Sequence, residues 1–263
     1  MGDYLTPILA RKQKEVARRK RRAAVVVPLT AADAERGRLA LDALRRPAGG
    51  APRVIAEIKR RSPSAGEIRK RERGDIASLA GSYQRGGAAA ISVLCDGPGF
   101  GGSVLDLRRA ARASALPLLF KEFVLDEVQL DLARAIGAHM VLLIVRAIPG
   151  PRLAALVDAT LERGLAPVVE AADARELDAA LATRATLVGV NARDLRTFGV
   201  DRSAAVSALA RIPGDRIAIH MSGIRTAEDL AEVGSGRADA VLIGESLMRA
   251  SDPARKLREL LRA

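Results

Sequence analysis

Short apolar runs alternate with amphipathic stretches along most of the chain, and this alternation limits the folds that it can adopt. The runs are rich in Val, Ile and Leu, as buried strands are, whereas the stretches between them repeat apolar residues every three or four positions, as helices do. We predict strands at 54–59, 89–95, 116–121, 139–144, 166–170, 186–191, 216–221 and 240–244. Strands that alternate with helices pair in parallel through right-handed crossovers. Eight such units fit a closed (β/α)8 TIM barrel better than an open doubly wound sheet.

The predicted helices occupy segments between these strands. They cover 75–85, 126–136, 152–163, 175–181, 203–210 and 226–233. Gly87, Gly137 and Gly164 each stand shortly before a strand, where a glycine commonly ends a helix. No Gly-x-Gly-x-x-Gly motif follows the first strand, which argues against a dinucleotide-binding sheet.

Residues 1–50 precede the first unit and are predicted to form a helical extension of the barrel. A basic amphipathic helix spans about 3–23, a second helix spans 33–44, and a loop rich in Pro and Gly follows. No second domain is indicated, so we expect one barrel domain over residues 1–263.

The small numbers of Cys and His and the lack of long apolar runs argue against a disulfide-rich, metal-binding, membrane or secreted protein. One Cys excludes a disulfide framework, and two His with one Cys argue against a metal site. No apolar run reaches the roughly 18 residues that span a bilayer, and the N-terminus shows no signal-peptide apolar region. We therefore expect a cytoplasmic protein without membrane association, in which Cys95 is a small buried apolar residue.

The formal net charge of +12 indicates an anionic partner. Aromatic residues make up only 2% of the chain, which argues against a base-stacking surface for nucleic acid. The densest basic run, 11–22, could serve as an RNA-binding arm, but the solvated face of a helix with Ile8, Leu9 and Val16 pointing inward explains it better. We expect an anionic small molecule as the partner rather than nucleic acid.

Two lysines stand out against a background of arginine. Arg outnumbers Lys by 36 to 7, yet Lys59 and Lys121 both end predicted strands. A partly buried ammonium can release its proton, whereas a guanidinium cannot. One such lysine would be explained by a surface position, but two at equivalent places predict proton transfer. Glu57 lies two residues before Lys59, and a structural ion pair with either lysine is a second explanation for that carboxylate.

Polar residues follow other predicted strands as well. They are Glu57 and Ser62 around the end of strand one, Glu170 after strand five, Asn191 and Arg193 after strand six, Ser222 and Gly223 after strand seven, and Gly244, Glu245 and Ser246 after strand eight. The carboxyl ends of parallel barrel strands meet at one mouth, where active sites of this architecture lie. We therefore predict an active site there, with two carboxylates and two lysines as candidate acids and bases.

The loops after strands seven and eight are predicted to bind a phosphate. In such barrels the backbone N–H groups of these two loops commonly hold one, beside a short helix N-terminus. Gly223 and Gly244 would let the backbone approach the phosphate, Glu245 follows at the helix start, and Ser246 could donate its hydroxyl. Turn geometry alone is an alternative explanation for either glycine.

Six segments together carry a resemblance to the indole-3-glycerol phosphate synthase family. They are Val-Ile-Ala-Glu-Ile-Lys-Arg-Arg-Ser-Pro-Ser-Ala-Gly at 54–66, Ile-Ser-Val-Leu-Cys-Asp…Phe-Gly-Gly-Ser at 91–103, Pro-Leu-Leu-Phe-Lys-Glu-Phe at 117–123, Gly-Val-Asn-Ala-Arg-Asp-Leu-Arg-Thr-Phe at 189–198, Ser-Gly-Ile at 222–224 and Leu-Ile-Gly-Glu-Ser-Leu-Met at 242–248. The first segment resembles the family's signature around its first strand and is highly specific. The resemblance runs nearly from end to end.

The resemblance implies a reaction that uses no cofactor. It converts 1-(2-carboxyphenylamino)-1-deoxyribulose 5-phosphate to indole-3-glycerol phosphate, CO₂ and water in tryptophan biosynthesis. By the same resemblance, Lys121 is the general acid for ring closure, Glu170 exchanges a proton in the dehydration, and Lys59 pairs with a substrate anion and shares in the later proton transfers.

The resemblance also implies supporting roles for other residues of the mouth. Glu57, Asn191 and Arg193 would orient the lysines and the substrate. Phe100 and Phe123 would line an apolar pocket for the anthranilate ring. Further substrate contacts are expected from Ser62 and Ser222.

Two positions depart from the usual family pattern. The family's Ser-Glu-Ser-Gly-Ile reads His-Met-Ser-Gly-Ile here, so Met221 replaces a carboxylate, and Ala192 replaces the second Asn of Asn-Asn-Arg. Loss of the carboxylate should lower the pKa of a neighbouring lysine, so we expect a slower synthase. The alternatives are a diverged paralogue that acts on a related N-aryl sugar phosphate in specialised metabolism, and a basic nucleic-acid-binding module. We expect a monomer or a weak homodimer.

Overall fold

A computed structural model describes residues 4–22, 29–63, 65–193 and 202–262 of the chain. Within these residues, eight parallel strands close into a barrel, as predicted. The strands are β1 (Arg53–Ile58), β2 (Ala90–Leu94), β3 (Leu118–Lys121), β4 (Met140–Ile144), β5 (Ala166–Ala171), β6 (Leu187–Asn191), β7 (Ile217–Met221) and β8 (Ala240–Ile243). Each strand pairs with its neighbours in sequence, and β1 closes the barrel by pairing with both β2 and β8.

Helices surround the barrel and extend it at the N-terminus. They are α1 (Leu5–Arg22), α2 (Ala31–Leu44), α3 (Asp75–Gly86), α4 (Gly97–Phe100), α5 (Val104–Ala113), α6 (Glu127–Ala135), α7 (Gly150–Glu162), α8 (Ala174–Leu181), α9 (Arg202–Leu209), α10 (Ala227–Gly234), α11 (Glu245–Arg249) and α12 (Pro253–Leu261), with one 3₁₀ turn at Val145–Ala147. In the loop after β1, two strands of two residues each, Arg61–Ser62 and Gly66–Glu67, pair as an antiparallel hairpin. Helices α4, α5 and α12 were not predicted from the sequence, whereas α11 is the short helix expected beside the phosphate site.

The barrel strands are buried on both faces, which explains why they appear in the sequence as continuous apolar runs. Residues 54–58 of β1 and all five residues of β2, β4 and β7 are buried. Side chains on one face of each strand fill the barrel, and those on the other face pack beneath the helices. Tyr83 of α3 is one of the largest buried residues, and its hydroxyl donates to the main-chain oxygen of Glu57.

The two N-terminal helices lie at opposite ends of the barrel. The N–H of Gly37 in α2 donates to the carbonyl of Gly164, just before β5, at 2.8 Å. Helix α2 therefore covers the amino ends of the strands, and a capping box between Thr30 and Asp33 fixes its start. Helix α1 instead contacts α6 and the loops at the carboxyl ends of β2 and β3.

The basic run at 11–22 is not entirely the solvated helix face that we expected. Leu5 and Ile8 point inward, and Leu9 and Val16 are partly buried. Lys12, however, is also buried, with 4% of its surface exposed, because it pairs with carboxylates of the barrel. Lys14, Arg18 and Lys20 fit the expectation and are exposed.

In the described part of the chain, no helix combines the length and the apolar character that crossing a membrane would require.

The packing of α2 against the barrel predicts a strong effect of Gly164→Ala. Gly164 has φ +70°, and a methyl group there would overlap the carbonyl of Asp33. Both the backbone conformation and the overlap disfavour Ala, so we expect a loss of about 2 kcal/mol or more in the free energy of unfolding. Urea unfolding followed by circular dichroism measures the loss.

Gly150→Ala is the matched control for this substitution, because no atom lies within 4 Å of the added methyl group. Its unfolding free energy should stay within about 0.5 kcal/mol of wild type. Equal effects of the two substitutions would mean that the contact between α2 and Gly164 does not stabilise the barrel.

Candidate active site

A pocket opens at the carboxyl ends of the barrel strands and gathers most of the residues that the sequence indicated. The predicted residues that line it are Glu57, Lys59, Ser62, Phe100, Lys121, Phe123, Glu170, Asn191, Arg193, Ser222 and Glu245. Apolar side chains, among them Leu142 and Leu242, line the remaining wall. Gly223, Gly244 and Ser246 are not part of this lining: Gly223 and Gly244 follow β7 and β8, and Ser246 lies in the first turn of α11.

Lys121 sits in a chain of contacts that crosses three strands. Its Nζ lies 3.2 Å from Glu170 Oε2 at β5, and the other oxygen of Glu170 accepts from Asn191 Nδ2 of β6 at 3.1 Å. Asn191 Oδ1 in turn accepts the N–H of Arg193 at 3.0 Å. Both oxygens of the buried Glu170 are thus engaged, and one of them faces the ammonium directly.

Lys59 and Glu57 form the second charged pair of the mouth. The Nζ of Lys59 lies 2.9 Å from Glu57 Oε1, so the expected structural ion pair exists, and both side chains also face the pocket. Gly244 makes this placement possible. A methyl group on Gly244 would lie 2.7 Å from Glu57 Oε1, so any larger residue would displace the carboxylate.

At the centre of the mouth, neighbouring charges shift the pKa values of Glu57 and Lys121 more than burial does. Burial alone would raise the pKa of Glu57, but the ammonium groups of Lys59 and Lys121 hold it below its ordinary value. Burial alone would lower the pKa of Lys121, but Glu170 and Glu57 together raise it above its ordinary value. At neutral pH the pocket therefore presents an ionised Glu57 and a protonated Lys121.

An aromatic pair forms one side of the pocket. The rings of Phe100 and Phe123 lie 6.1 Å apart, centre to centre, with 37° between their planes. Phe100 ends α4, whose first turn is capped by the carboxylate of Asp96, and Phe123 follows β3. Such a wall suits a planar apolar ring.

The loops after β7 and β8 have features that suit an anion. Ser222 and Gly223 have φ values of +72° and +88°, so two successive residues with positive φ form a tight turn directly after β7. The hydroxyl of Ser246, in the first turn of α11, is buried without a hydrogen-bond partner among the described residues. Glu245 extends toward Arg249, with 3.1 Å between the charged groups.

The two positions that depart from the family pattern are buried. Met221 has no exposed surface, and its side chain packs over Gly189, where a methyl group would lie 2.8 Å from the sulfur. Ala192 is 5% exposed. Residues 194–198 of the quoted motif, and Ser64 of the first one, fall outside the described residues.

Three charged residues around the mouth, Lys12, Asp96 and Glu122, had no predicted role. Glu122 lines the pocket next to Lys121, and both Glu122 and Asp96 contact Lys12 of α1. A carboxylate directly after a lysine at a strand end was a signal for Glu122, but nothing local connects residue 12 with residue 122. Among the described residues, no group of three His, Cys, Asp or Glu side chains could hold a metal ion.

Comparison with models of protein families shows which family the chain belongs to. The model of indole-3-glycerol phosphate synthase matches residues 5–260. The chain belongs to the indole-3-glycerol phosphate synthase family. The prediction of this family from sequence motifs is thereby confirmed.

Individual members of the family are similar to this chain over nearly its whole length. Indole-3-glycerol phosphate synthase 2 of Streptomyces coelicolor is 43% identical over 99% of this chain and all of its own length. The indole-3-glycerol phosphate synthase of Leifsonia xyli is 45% identical over 98% of this chain and 97% of its own.

Solved structures of lower identity share the barrel fold. An N-acetylmannosamine-6-phosphate 2-epimerase from Clostridium perfringens superposes with a TM-score of 0.60 at 15% identity, covering 85% of this chain and 93% of its own. A tryptophan synthase alpha-subunit from Pyrococcus furiosus gives 0.59 at 16% identity, covering 80% and 98%. At this identity the likeness concerns the fold alone.

The lowered pKa of Glu57 predicts how its contribution to stability changes with pH. Its pKa is lower in the folded than in the unfolded protein, so its ionised form stabilises the fold above the unfolded value, and this contribution disappears as pH falls through the folded value. Glu57→Gln should therefore cost about 1–3 kcal/mol at pH 7, and the cost should shrink below the ordinary carboxyl range.

Urea unfolding of wild type and variant at several pH values between about 7 and 3 gives this difference. Glu67→Gln is the control, because Glu67 is exposed in the hairpin after β1 and should change little at any pH. A cost of Glu57→Gln that stays constant down to the lowest pH would contradict the assignment.

Proposed function

We propose that the protein catalyses ring closure, decarboxylation and dehydration of 1-(2-carboxyphenylamino)-1-deoxyribulose 5-phosphate to indole-3-glycerol phosphate. The observation that carries the proposal is the position of Lys121, held by Glu170 at 3.2 Å at the edge of a pocket that also has an aromatic wall. Family membership bears out the predicted enzyme class, a carboxy-lyase of tryptophan biosynthesis.

Ring closure needs an acid at the ketone of the sugar chain. The ring carbon that bears the carboxylate attacks this ketone carbon, and the oxygen takes up a proton as the new carbon–carbon bond forms. Lys121 is the proposed donor, because its raised pKa keeps it protonated at neutral pH and its side chain lines the pocket. The contact with Glu170 fixes its direction.

The later steps restore the aromatic ring. Loss of CO₂ leaves its electron pair in the ring system, and departure of the hydroxyl group as water, together with a proton from carbon, completes the indole. We assign the proton exchange of this dehydration to Glu170, one of whose oxygens faces Lys121 while the other is held by Asn191. Lys59, held by Glu57, lies on the opposite side of the mouth and can share the transfers.

Two cations of the pocket and the loops after β7 and β8 are proposed to bind the two anionic groups of the substrate. Arg193 and Lys59 line the pocket as cations and are proposed to pair with the substrate carboxylate. The backbone at Ser222 and Gly223, the loop at Gly244 and Glu245, and the buried hydroxyl of Ser246 are proposed to hold the phosphate. Phe100 and Phe123 would stack along the anthranilate ring, and Ser62, which also lines the pocket, would contact the substrate.

The proposed reaction also bears on the need for a cofactor. None of the three steps calls for a cofactor or a metal, since acids, bases and a water-poor pocket supply the chemistry. A cytoplasmic location and a monomeric or weakly dimeric state stay predictions.

Lys121→Met tests the proposed acid. Removing a general acid typically lowers the rate about 10²–10⁴-fold, and we expect kcat to fall by at least about 10²-fold. Conversion of 1-(2-carboxyphenylamino)-1-deoxyribulose 5-phosphate is followed by the fluorescence of the indole product. Lys256→Met, in α12 on the outside of the barrel, is the matched control and should retain wild-type activity. Wild-type kcat in the Lys121 variant would remove it from the mechanism.

A diverged paralogue with a related N-aryl sugar phosphate as substrate remains the second candidate. The observation in its favour is Met221, which is buried next to Asn191 in the register of β6 and β7, where the family usually has a carboxylate. Its apolar side chain removes a negative charge from the inner surface of the mouth.

Met221→Glu separates the two candidates. If the chain is a synthase slowed by this substitution, the restored carboxylate should stabilise the ammonium groups and raise kcat several-fold, by roughly a factor of ten at most. Met221→Gln has a similar size without the charge and should give no such increase. A Met221→Glu variant that folds but gains no activity with the synthase substrate would favour the paralogue.

A further inference from the structure

Lys12 of α1 is buried at the centre of three carboxylates from different parts of the chain. Its Nζ lies 2.7 Å from Glu15 Oε2, 3.0 Å from Glu122 Oε2 and 3.3 Å from Asp96 Oδ1. Only 4% of the residue is exposed, although it belongs to the most basic and most exposed helix of the protein. A buried ammonium with three ionic partners is costly to place, so its position needs a reason beyond surface charge.

Two of these carboxylates hold the aromatic wall of the active site. Asp96 caps α4 through the N–H of Gly99 at 2.8 Å, and α4 ends at Phe100. Glu122 accepts the N–H of Phe123 at 2.7 Å. The ammonium of Lys12 therefore joins the two segments whose rings face each other across 6.1 Å.

Packing alone does not fix the side chain of Glu122. It lines the active-site pocket on one side and a separate cavity of about 250 Å³ beneath α1 on the other, which Lys12 and Cys95 also border. With space on both sides, the carboxylate is held by its ionic and hydrogen-bonded partners. Burial raises the pKa of Glu122, and Lys12 is the principal group that opposes this effect.

We infer that Lys12 is a positioning residue for the synthase reaction: through Asp96 and Glu122 it sets the distance between Phe100 and Phe123, and so the fit of the substrate ring. This inference rests on the proposed function and adds a residue of the N-terminal helix to the machinery of the site. Lys121 keeps its own partner, Glu170, when Lys12 is lost. The effect should therefore appear in substrate binding more than in the chemical step.

Lys12→Met is the direct test, since Met keeps most of the length of the side chain and removes the charge. We expect KM for 1-(2-carboxyphenylamino)-1-deoxyribulose 5-phosphate to rise about tenfold and kcat to change less than about threefold. Lys14→Met is the matched control, because Lys14 lies two residues away on α1 and is exposed. It should have wild-type KM and kcat. Equal kinetics of the two variants would overturn the inference.

A second pair of variants separates positioning from simple neutralisation of a buried charge. Glu122→Gln removes the carboxylate that Lys12 would neutralise, and its single carbonyl oxygen cannot accept from both Lys12 Nζ and the Phe123 N–H, which bind different oxygens of Glu122. This variant should therefore raise KM about tenfold by itself, and adding Lys12→Met should raise it little further, because the link between the two segments is already lost. If Lys12 serves only to neutralise Glu122, both Glu122→Gln and the double variant will have the wild-type KM. That result would overturn the inference, and it remains measurable if Lys12→Met alone does not fold.

Failure of this inference differs from failure of the proposed function. A wild-type protein that does not convert the substrate would overturn the proposed function, and with it this inference. An active wild type with a Lys12 variant of unchanged KM would overturn the inference alone.

Discussion

The balance of charge inside the barrel mouth is the constraint on which the rest of the site depends. Glu57 and Glu170 are almost completely buried, and each faces a lysine within 3.2 Å. Buried charges of this kind are tolerated only when they are paired and hydrogen-bonded. The pairing also sets protonation states, since it keeps Glu57 ionised and Lys121 protonated. The arrangement that makes these groups stable is also the one that would prepare them for the proposed proton transfers.

The fold could be predicted from the sequence because its strands are buried on both faces. Continuous apolar runs then mark each strand, and the observed bounds differ from the predicted ones by no more than two residues. Helix α5 was missed although Ser103 caps it, and α12 was missed because it follows the last predicted strand–helix unit. The candidate site was predictable to the extent that it follows the strand ends. Contacts that join distant segments, such as Lys12 with Glu122, leave no pattern in the sequence.

The N-terminal extension is part of the working structure at both ends of the barrel. Helix α2 covers the amino ends of the strands through Gly37 and Gly164, where it can affect only stability. Helix α1 reaches the opposite end and contacts the loops that carry the proposed general acid and the proposed ring-binding groups. The basic character of α1 hides this difference, because its one buried lysine looks in the sequence like its exposed neighbours.

Gly244, which has no side chain, brings together two regions that are far apart in the sequence. The loop after β8 belongs to the proposed phosphate site, yet the space left by this glycine is taken by the carboxylate of Glu57 from β1. A larger residue at Gly244 would therefore disturb Glu57 and its partner Lys59 as well as the proposed phosphate site. An engineer who randomises the loop to accept a different anionic group would have to leave this one residue untouched, and natural divergence of substrate choice in this scaffold is subject to the same restriction.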